Sequence, residues 1–193
     1  MLHNASTTID SKPWAAPSVR TALLAGGAIS FAALTALSAF VRIPLPFTPV
    51  PVTLQVFIVL LSGAVLGRGW GAASQGLYVG AGVLGLPVFA GTAGLAVLAG
   101  PTAGYLLGFV LAPGLVGWLI SSKHDLLHIT GAMAAGVAAI YICGWAWLAF
   151  GLHMGPLAAF FAGVHPFLIV DLAKAAAAAA LFMPVRRMIR LPL

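Results

Sequence analysis

The chain has 193 residues, of which 62 % are hydrophobic and 6 % are charged, and its formal net charge is +6. A soluble globular domain carries about 25 % charged residues, so this composition excludes a water-facing surface and indicates a protein whose solvent is lipid. The positive residues stand singly or in small groups between long uncharged segments, which argues against a nucleic-acid surface. Cys143 is the only cysteine in the sequence, which excludes an intrachain disulfide.

Six stretches are long and apolar enough to cross a bilayer, since a helix needs about 20 apolar residues to span about 30 Å of hydrocarbon. They follow a polar stretch, residues 1–19, that we interpret as a flexible cytoplasmic tail, and the first is too long for the core of a cleaved signal peptide. We therefore predict an all-α fold, a single bundle of six transmembrane helices over residues 20–193. The predicted spans cover residues 21–41, 52–66, two helices between Arg68 and Lys123 with a break near 85–94, 130–150, and 166–183, where Pro184 closes the last helix.

The basic residues orient this predicted bundle. With six spans and a cytoplasmic N-terminus, the inner loops carry seven lysines and arginines and the outer loops carry only Arg42, in agreement with the positive-inside rule. We therefore expect both termini on the cytoplasmic side. The inner residues are Lys12, Arg20, Arg68, Lys123, Arg186, Arg187 and Arg190.

Two irregular stretches are expected at the outer face. Residues 42–52 contain four prolines and cannot form a regular helix, so we expect a stiff extended loop there. Residues 85–105 are rich in glycine and other small residues. At membrane depth, irregular backbone persists only where it is buried in protein or lines a cavity. The two stretches either form the walls or lid of a pocket or are merely tight connectors.

Asp171 and Lys174 carry opposite charges inside the last apolar span. Residues three apart lie on one helix face, close enough to interact. Charges within a membrane usually pair, face the bundle interior and mark a substrate or ion pathway. Counted from Pro166, Asp171 lies about 7–8 Å and Lys174 about 12 Å below the outer end of the helix. The pair therefore predicts the floor of an outward-opening pocket; the alternative is a salt bridge that only locks the bundle.

The sequence contains neither a dinucleotide-binding motif in its proper context nor a P-loop. GAGVLG, residues 80–85, ends an apolar span instead of joining a strand to a helix, and the chain contains no Gly-Lys dipeptide, so it lacks a P-loop. Small residues instead recur at four-residue spacing, which lets helix backbones approach closely. The ridge formed by Ala28, Ala32 and Ala36 either packs inside the bundle or faces a partner subunit.

Four stretches together resemble the BioY family, the membrane-embedded biotin-binding components of energy-coupling factor (ECF) transporters. They are IPLPFTPVPVTLQ (43–55), GLPVFAG (85–91), GPTAGYLLGF (100–109) and DLAK (171–174), within a resemblance that covers about residues 21–185. It implies a six-helix component of the bacterial inner membrane that captures biotin from outside. Such a component works with a transmembrane coupling subunit and two cytoplasmic ATPases. No cofactor of its own is expected, since ATP is used only by the partners.

The resemblance also implies which residues meet biotin. The expected ligand residues are Asp171, Lys174, Tyr105, Gln55, Phe89 and Thr92. Asp171 can accept hydrogen bonds from ureido N–H. Lys174 can donate to the ureido oxygen or pair with the carboxylate of the ligand, and the sequence leaves both roles open. The alanine ridge corresponds to the small-residue motif through which such components contact the coupling subunit.

The remaining expected contacts each have an ordinary packing role as the alternative. Tyr105 offers a ring and a hydroxyl, Gln55 offers a donor and an acceptor, and Phe89 and Thr92 can close over the ligand. Leu106 departs from the family pattern, because some members carry a basic residue at that position after the tyrosine. Ala103 stands where the family usually has a glycine.

Two other functions compete with biotin capture. A self-sufficient secondary transporter could load and release a proton on Asp171, but the neighbouring Lys174 favours the charged carboxylate. A structural protein in which the pair is only a lock predicts no ligand at all. Enzymatic activity is not expected, because the sequence shows neither a nucleophile–base arrangement nor a metal-ligand cluster.

Overall fold

The structure, a computed structural model, describes residues 18–89, 92–121 and 125–188. The predicted tail lies outside these ranges except for its last two residues, where the first helix begins, so the tail itself stays a prediction. The helices are α1 (Val19–Ser38), α2 (Gln55–Val83), α3 (Ala103–Ile120), α4 (Leu126–Ala146), α5 (Pro156–Gly163) and α6 (Leu168–Met188).

Five helical segments within the described part of the chain are long and apolar enough to cross a membrane. Three of them are α1, α2 and α3. The fourth is α4 extended by one π-helical turn, Trp147–Gly151, and the fifth joins α5 to α6 through a 3-10 turn, His165–Phe167. The predicted helical fold is confirmed in this coarser form.

The longest of these segments, α2, folds back on itself at Gly67. This residue has non-helical backbone angles, φ 78° and ψ −178°. In a straight helix Gln55 and Tyr78 would stand about 35 Å apart, yet the side-chain amide of Gln55 donates to the Tyr78 hydroxyl at 2.7 Å. The two arms, residues 55–66 and 68–83, therefore lie side by side and run in opposite directions.

Glycines set how closely these two arms approach. A Cβ atom added at Gly71 would lie 2.8 Å from the Cα of Gly63 in the other arm, whereas one added at Gly76 would meet no atom within 4 Å. Similar contacts occur between α3 and α4, where a Cβ at Gly108 would lie 2.7 Å from the Cα of Ile140. Small residues at these helix faces therefore allow backbones to pack directly against each other.

We expect Gly71→Ala to destabilise the protein by about 1–3 kcal/mol, because the added methyl group pushes the arms of α2 apart. Gly76→Ala is the matched control, since its methyl group enters open space. The measurement is the thermal unfolding midpoint of each purified variant in detergent. Equal midpoints for the two variants would contradict the close approach of the arms.

The proline-rich stretch is held at its base by a ribbon of two short strands, β1 (Arg42–Ile43) and β2 (Val52–Thr53). They pair antiparallel, with Arg42 opposite Thr53 and Ile43 opposite Val52. This ribbon was not expected in an all-α fold. It forms because the four prolines lie between the paired residues, where no backbone N–H is needed for the ladder. The stretch is therefore non-helical, as predicted, but is more ordered than a simple loop.

The predicted closure of the last helix at Pro184 is wrong. Helix α6 continues through Pro184 to Met188. Proline removes one backbone N–H and its ring crowds the preceding turn, but membrane helices tolerate this where neighbouring groups satisfy the freed carbonyl. A proline close to the end of a helix thus does not mark the end itself.

Candidate functional site

An inner cavity of about 80 Å³ lies at the end of the bundle where α2, α3 and α6 begin. The strand β2 and the last turns of α4 complete its wall. Its apolar lining comes from Val50, Pro51, Val52, Val56, Leu106, Phe109, Ile140 and Phe167. Its polar side chains come from Thr53, Gln55, Thr102, Tyr105, Tyr141 and Asp171. This mixture of apolar walls and a few convergent polar groups is typical of small-molecule sites.

Asp171 is buried, and partners hold both of its carboxylate oxygens. Lys174 donates to Oδ1 at 2.7 Å, one helical turn away. The hydroxyl of Tyr141, on α4, donates to Oδ2 at 2.8 Å. Each carboxylate oxygen has two lone pairs, so each retains the capacity to accept a further hydrogen bond from a ligand. The predicted pairing of Asp171 with Lys174 is present in the structure.

Lys174 also donates to the backbone carbonyl of Thr53 in β2. Two of its three N–H donors are thereby used by partners among the described residues. Lys174 does not line the inner cavity itself but lies behind Asp171 and ties α6 to the ribbon. Lys174 therefore connects Asp171 in the site to the proline-rich outer loop.

Tyr105 contributes its ring to the cavity wall, and its hydroxyl donates to the carbonyl of Gly163 at the end of α5. The ring lies against Gly144 of α4, where any side chain would overlap it. The ring of Tyr105 therefore faces the cavity, where a ligand could stack on it. Its hydroxyl proton is already donated to a carbonyl of the protein.

Gln55 is buried between two partners at the start of α2. It accepts a bond from the Thr53 hydroxyl at 3.2 Å and donates to the Tyr78 hydroxyl at 2.7 Å. The side chain lines the inner cavity and also a wider outer chamber of about 610 Å³. The two spaces share five lining residues: Pro51, Thr53, Gln55, Thr102 and Leu106.

Phe89 and Thr92 line the outer chamber and not the inner cavity. Phe89 packs edge-on against Tyr78, with ring centroids 5.5 Å apart. Thr92 pairs with Phe89 through backbone hydrogen bonds and donates its hydroxyl to the Phe89 carbonyl at 2.6 Å. The structure thus brings Asp171, Tyr105 and Gln55 to one cavity and sets Phe89 and Thr92 further out, at its approach.

The alanine ridge of α1 is largely internal. Ala28 and Ala32 are buried and Ala36 is half-buried, and α1 packs against α2. Within this chain the ridge therefore serves helix packing, one of the two roles considered for it. Its contact with a partner subunit stays a prediction.

Tyr141 is a site residue that sequence reasoning missed. It stands in a long apolar span with no charged residue near it in sequence, so no local pattern singled it out. We expect Tyr141→Phe to lower the stability of the protein by about 1.5–3 kcal/mol, since a hydrogen bond to a charged group contributes that much. Tyr78→Phe is the control, because that hydroxyl bonds the neutral Gln55, and the loss of such a bond should cost only about 0.5–1.5 kcal/mol. Thermal unfolding of both variants measures the difference; equal losses would mean that the Tyr141 hydroxyl has no special role.

Comparison with known proteins gives consistent matches. The family model of the BioY family matches residues 14–191. A biotin transporter BioY of Thermotoga maritima is 40 % identical over 160 residues, covering 82 % of this chain and 92 % of that protein. A probable biotin transporter BioY of Pyrococcus horikoshii is 41 % identical over 150 residues, covering 77 % of this chain and 86 % of that protein. A probable biotin transporter BioY of Lysinibacillus sphaericus is 36 % identical over 128 residues, which cover 61 % of this chain and 64 % of that protein.

A solved structure shares the fold. The crystal structure of the S-component for biotin from an ECF-type ABC transporter superposes with a TM-score of 0.82, covering 90 % of this chain and 95 % of that one. Its sequence identity is 24 %, so this likeness concerns the fold alone. The resemblance seen in the four sequence stretches is confirmed.

Proposed function

The chain belongs to the BioY family, and on that premise we propose that it binds biotin with high affinity and takes it up across the membrane as the substrate-specific component of an ECF transporter. It is a multi-pass membrane protein of a transporter family, not an enzyme. Relatives over most of its length carry the name biotin transporter, and the solved neighbour is described as a biotin S-component.

The buried charge pair beneath the inner cavity carries this proposal. A salt bridge that only locked the bundle would need no space beside it, yet Asp171 faces a cavity with apolar walls. Three of the four stretches that carry the family resemblance converge on that cavity from three different helices, through Gln55, Tyr105 and Asp171. Convergence from distant sequence positions is what a binding site requires.

The chemistry of biotin matches these groups. One of its ureido N–H groups donates to the carboxylate of Asp171, which retains acceptor capacity at both oxygens. Lys174 lies behind Asp171 and holds its carboxylate in place through the ion pair. The fused apolar rings lie against Tyr105 and Phe109. Such charge-assisted bonds in a site shielded from water support a dissociation constant of roughly nanomolar order, about −12 kcal/mol.

We infer six membrane crossings with both termini in the cytoplasm. The antiparallel arms of α2 support this number, because the segment Gln55–Val83 then counts as two crossings that turn at Gly67. The remaining segments supply four more. In this orientation Arg20 and Arg68 lie inside and the two cavities open outward, in keeping with the positive-inside rule.

The partners in this proposal are a transmembrane coupling subunit and two cytoplasmic ATPases in a bacterial inner membrane. The sequence contains no P-loop, so energy from ATP must come from other chains, and this chain needs no cofactor of its own. The ridge of Ala28, Ala32 and Ala36 is the proposed contact with the coupling subunit. Because Ala28 and Ala32 are buried, that contact requires α1 to shift relative to α2.

Equilibrium binding of biotin to the protein purified in detergent tests the proposal. We expect saturable binding of one biotin per chain at nanomolar concentration. Dethiobiotin, which keeps the ureido group and the carboxylate but lacks the sulfur-containing ring, separates biotin from a close analogue. A well-folded protein that binds neither ligand would sink the assignment.

The self-sufficient proton-coupled transporter is not favoured by the relatives or the solved neighbour. Uptake into sealed vesicles separates the two mechanisms. We expect no accumulation of biotin when the protein alone is given an inward proton gradient. Accumulation should require the coupling subunit, the ATPases and ATP. Uptake driven by the gradient alone would support the secondary transporter instead.

A further inference from the structure

The outer chamber contains a cation that the proposed contacts leave unused. Arg42 is the one basic residue predicted for the outer loops, an exception to the charge bias of the whole chain. In the structure its side chain lines the outer chamber. Among the described residues, Asp171 and Arg42 are the charged side chains that line the two connected spaces.

The ribbon places Arg42 next to the inner site. Arg42 is paired across the ribbon with Thr53, and side chains of directly opposed residues project from the same face. Thr53 lines both spaces, and its backbone carbonyl accepts the hydrogen bond from Lys174. Arg42 therefore lies one strand away from Thr53, whose carbonyl binds the lysine that pairs with Asp171. It lies on the side of the outer chamber.

The guanidinium of Arg42 is available to a ligand. The side chain is exposed and, within residues 18–89, 92–121 and 125–188, makes no hydrogen bond or ion pair. Leu106, at the junction of the two spaces, is apolar and offers no charge to a ligand. A carboxylate that enters the outer chamber on its way to the inner cavity thus meets a cation at Arg42.

We propose that Arg42 binds the carboxylate of biotin and so determines the selectivity of this chain for a ligand with an anionic tail. This assignment rests on the proposed function. The ligand then extends through both spaces, with its ureido end at Asp171 in the inner cavity and its negative end at Arg42 in the outer chamber. A guanidinium suits this role because its fork of N–H groups can bind a carboxylate through two parallel hydrogen bonds.

Biotinamide is the decisive probe, because it differs from biotin only in carrying a neutral amide in place of the carboxylate. Wild-type protein should bind biotin about tenfold more tightly than biotinamide, the size expected for one charge-assisted contact that is partly exposed. Arg42→Gln should weaken biotin binding by the same factor and leave biotinamide binding within about twofold of wild type. Arg42→Lys should retain part of the preference, since it keeps the charge but loses the fork.

Arg68→Gln is the matched control, because it removes the same charge at the opposite end of the bundle. Rising salt should reduce the biotin affinity of the wild type more than that of Arg42→Gln, since exposed charge pairs are screened. Equal weakening of both ligands by Arg42→Gln would overturn the proposal and leave Arg42 as a support of the ribbon. Equal affinity of the wild-type protein for biotin and biotinamide would also overturn it. If the wild-type protein bound neither biotin nor biotinamide, the proposed function itself would be wrong.

Discussion

Asp171→Asn is expected to reduce biotin affinity by a factor of about one hundred or more. A hydrogen bond to a charged acceptor contributes about 1.5–3 kcal/mol, and the ligand is proposed to donate one to Asp171. The amide of asparagine also presents N–H donors to Lys174, Tyr141 or the ligand, which are donors themselves. Titration calorimetry with biotin measures the loss.

Asp125→Asn is the control for that substitution. It makes the same chemical change at the N-cap of α4, far from the cavity, where asparagine caps a helix about as well as aspartate. Its biotin affinity should equal that of the wild type. Nanomolar binding by Asp171→Asn would show that the carboxylate is not the acceptor of the ligand.

Lys174→Met is expected to lower the stability of the protein by about 3–5 kcal/mol and to abolish tight binding of biotin. Removing one partner of a buried ion pair leaves the other charge without compensation, which costs far more than the pair itself contributes. The substitution also removes the bond from α6 to Thr53, so the ribbon loses its attachment to the site. Thermal unfolding and biotin titration of the same preparation measure the two effects.

The double variant Asp171→Asn with Lys174→Met separates a lock from a binding site. Both charges are removed together, so no buried charge is left unpaired, and stability should return toward that of the wild type. Biotin binding should stay lost, because the acceptor for the ureido group is gone. Recovery of binding together with stability would mean that the pair serves only to lock the bundle.

The sequence predicted those features that depend on local composition and spacing. Long apolar stretches predicted membrane helices, because lipid cannot satisfy backbone polar groups and a helix satisfies them internally. The four prolines predicted non-helical backbone between Arg42 and Val52, because proline has no N–H and a fixed φ. The spacing of Asp171 and Lys174 predicted their contact, because residues three apart share a helix face. Each of these rules operates within a few residues.

Helix ends were predicted unevenly. The break between the predicted span 52–66 and the span that follows Arg68 coincides with the reversal of α2 at Gly67, whereas Pro184 does not end α6 as predicted. A proline or glycine changes the free energy of a local backbone conformation. Tertiary packing decides whether that conformation forms, because its contacts can outweigh the local free energy. At Gly67, the close fit of Gly71 against Gly63 stabilises the reversal.

Several contacts within the site could not be predicted from local sequence rules. Asp171, Tyr105 and Gln55 were identified as candidates from the sequence and its resemblance to a family, and the structure places them around one cavity. The bond of Tyr141 to Asp171 joins residues 30 positions apart, and that of Lys174 to Thr53 joins residues 121 positions apart. No periodicity connects positions so distant.

Composition and spacing by themselves thus determined that this chain is a helical membrane protein with a paired charge in its last helix. Only the tertiary structure decided what that pair does. It set Phe89 and Thr92 in an outer chamber, buried most of the alanine ridge and brought Arg42 to the mouth of the cavity. Local patterns follow from the backbone of a few residues, whereas the position of a charge relative to a cavity depends on how every helix packs against the others.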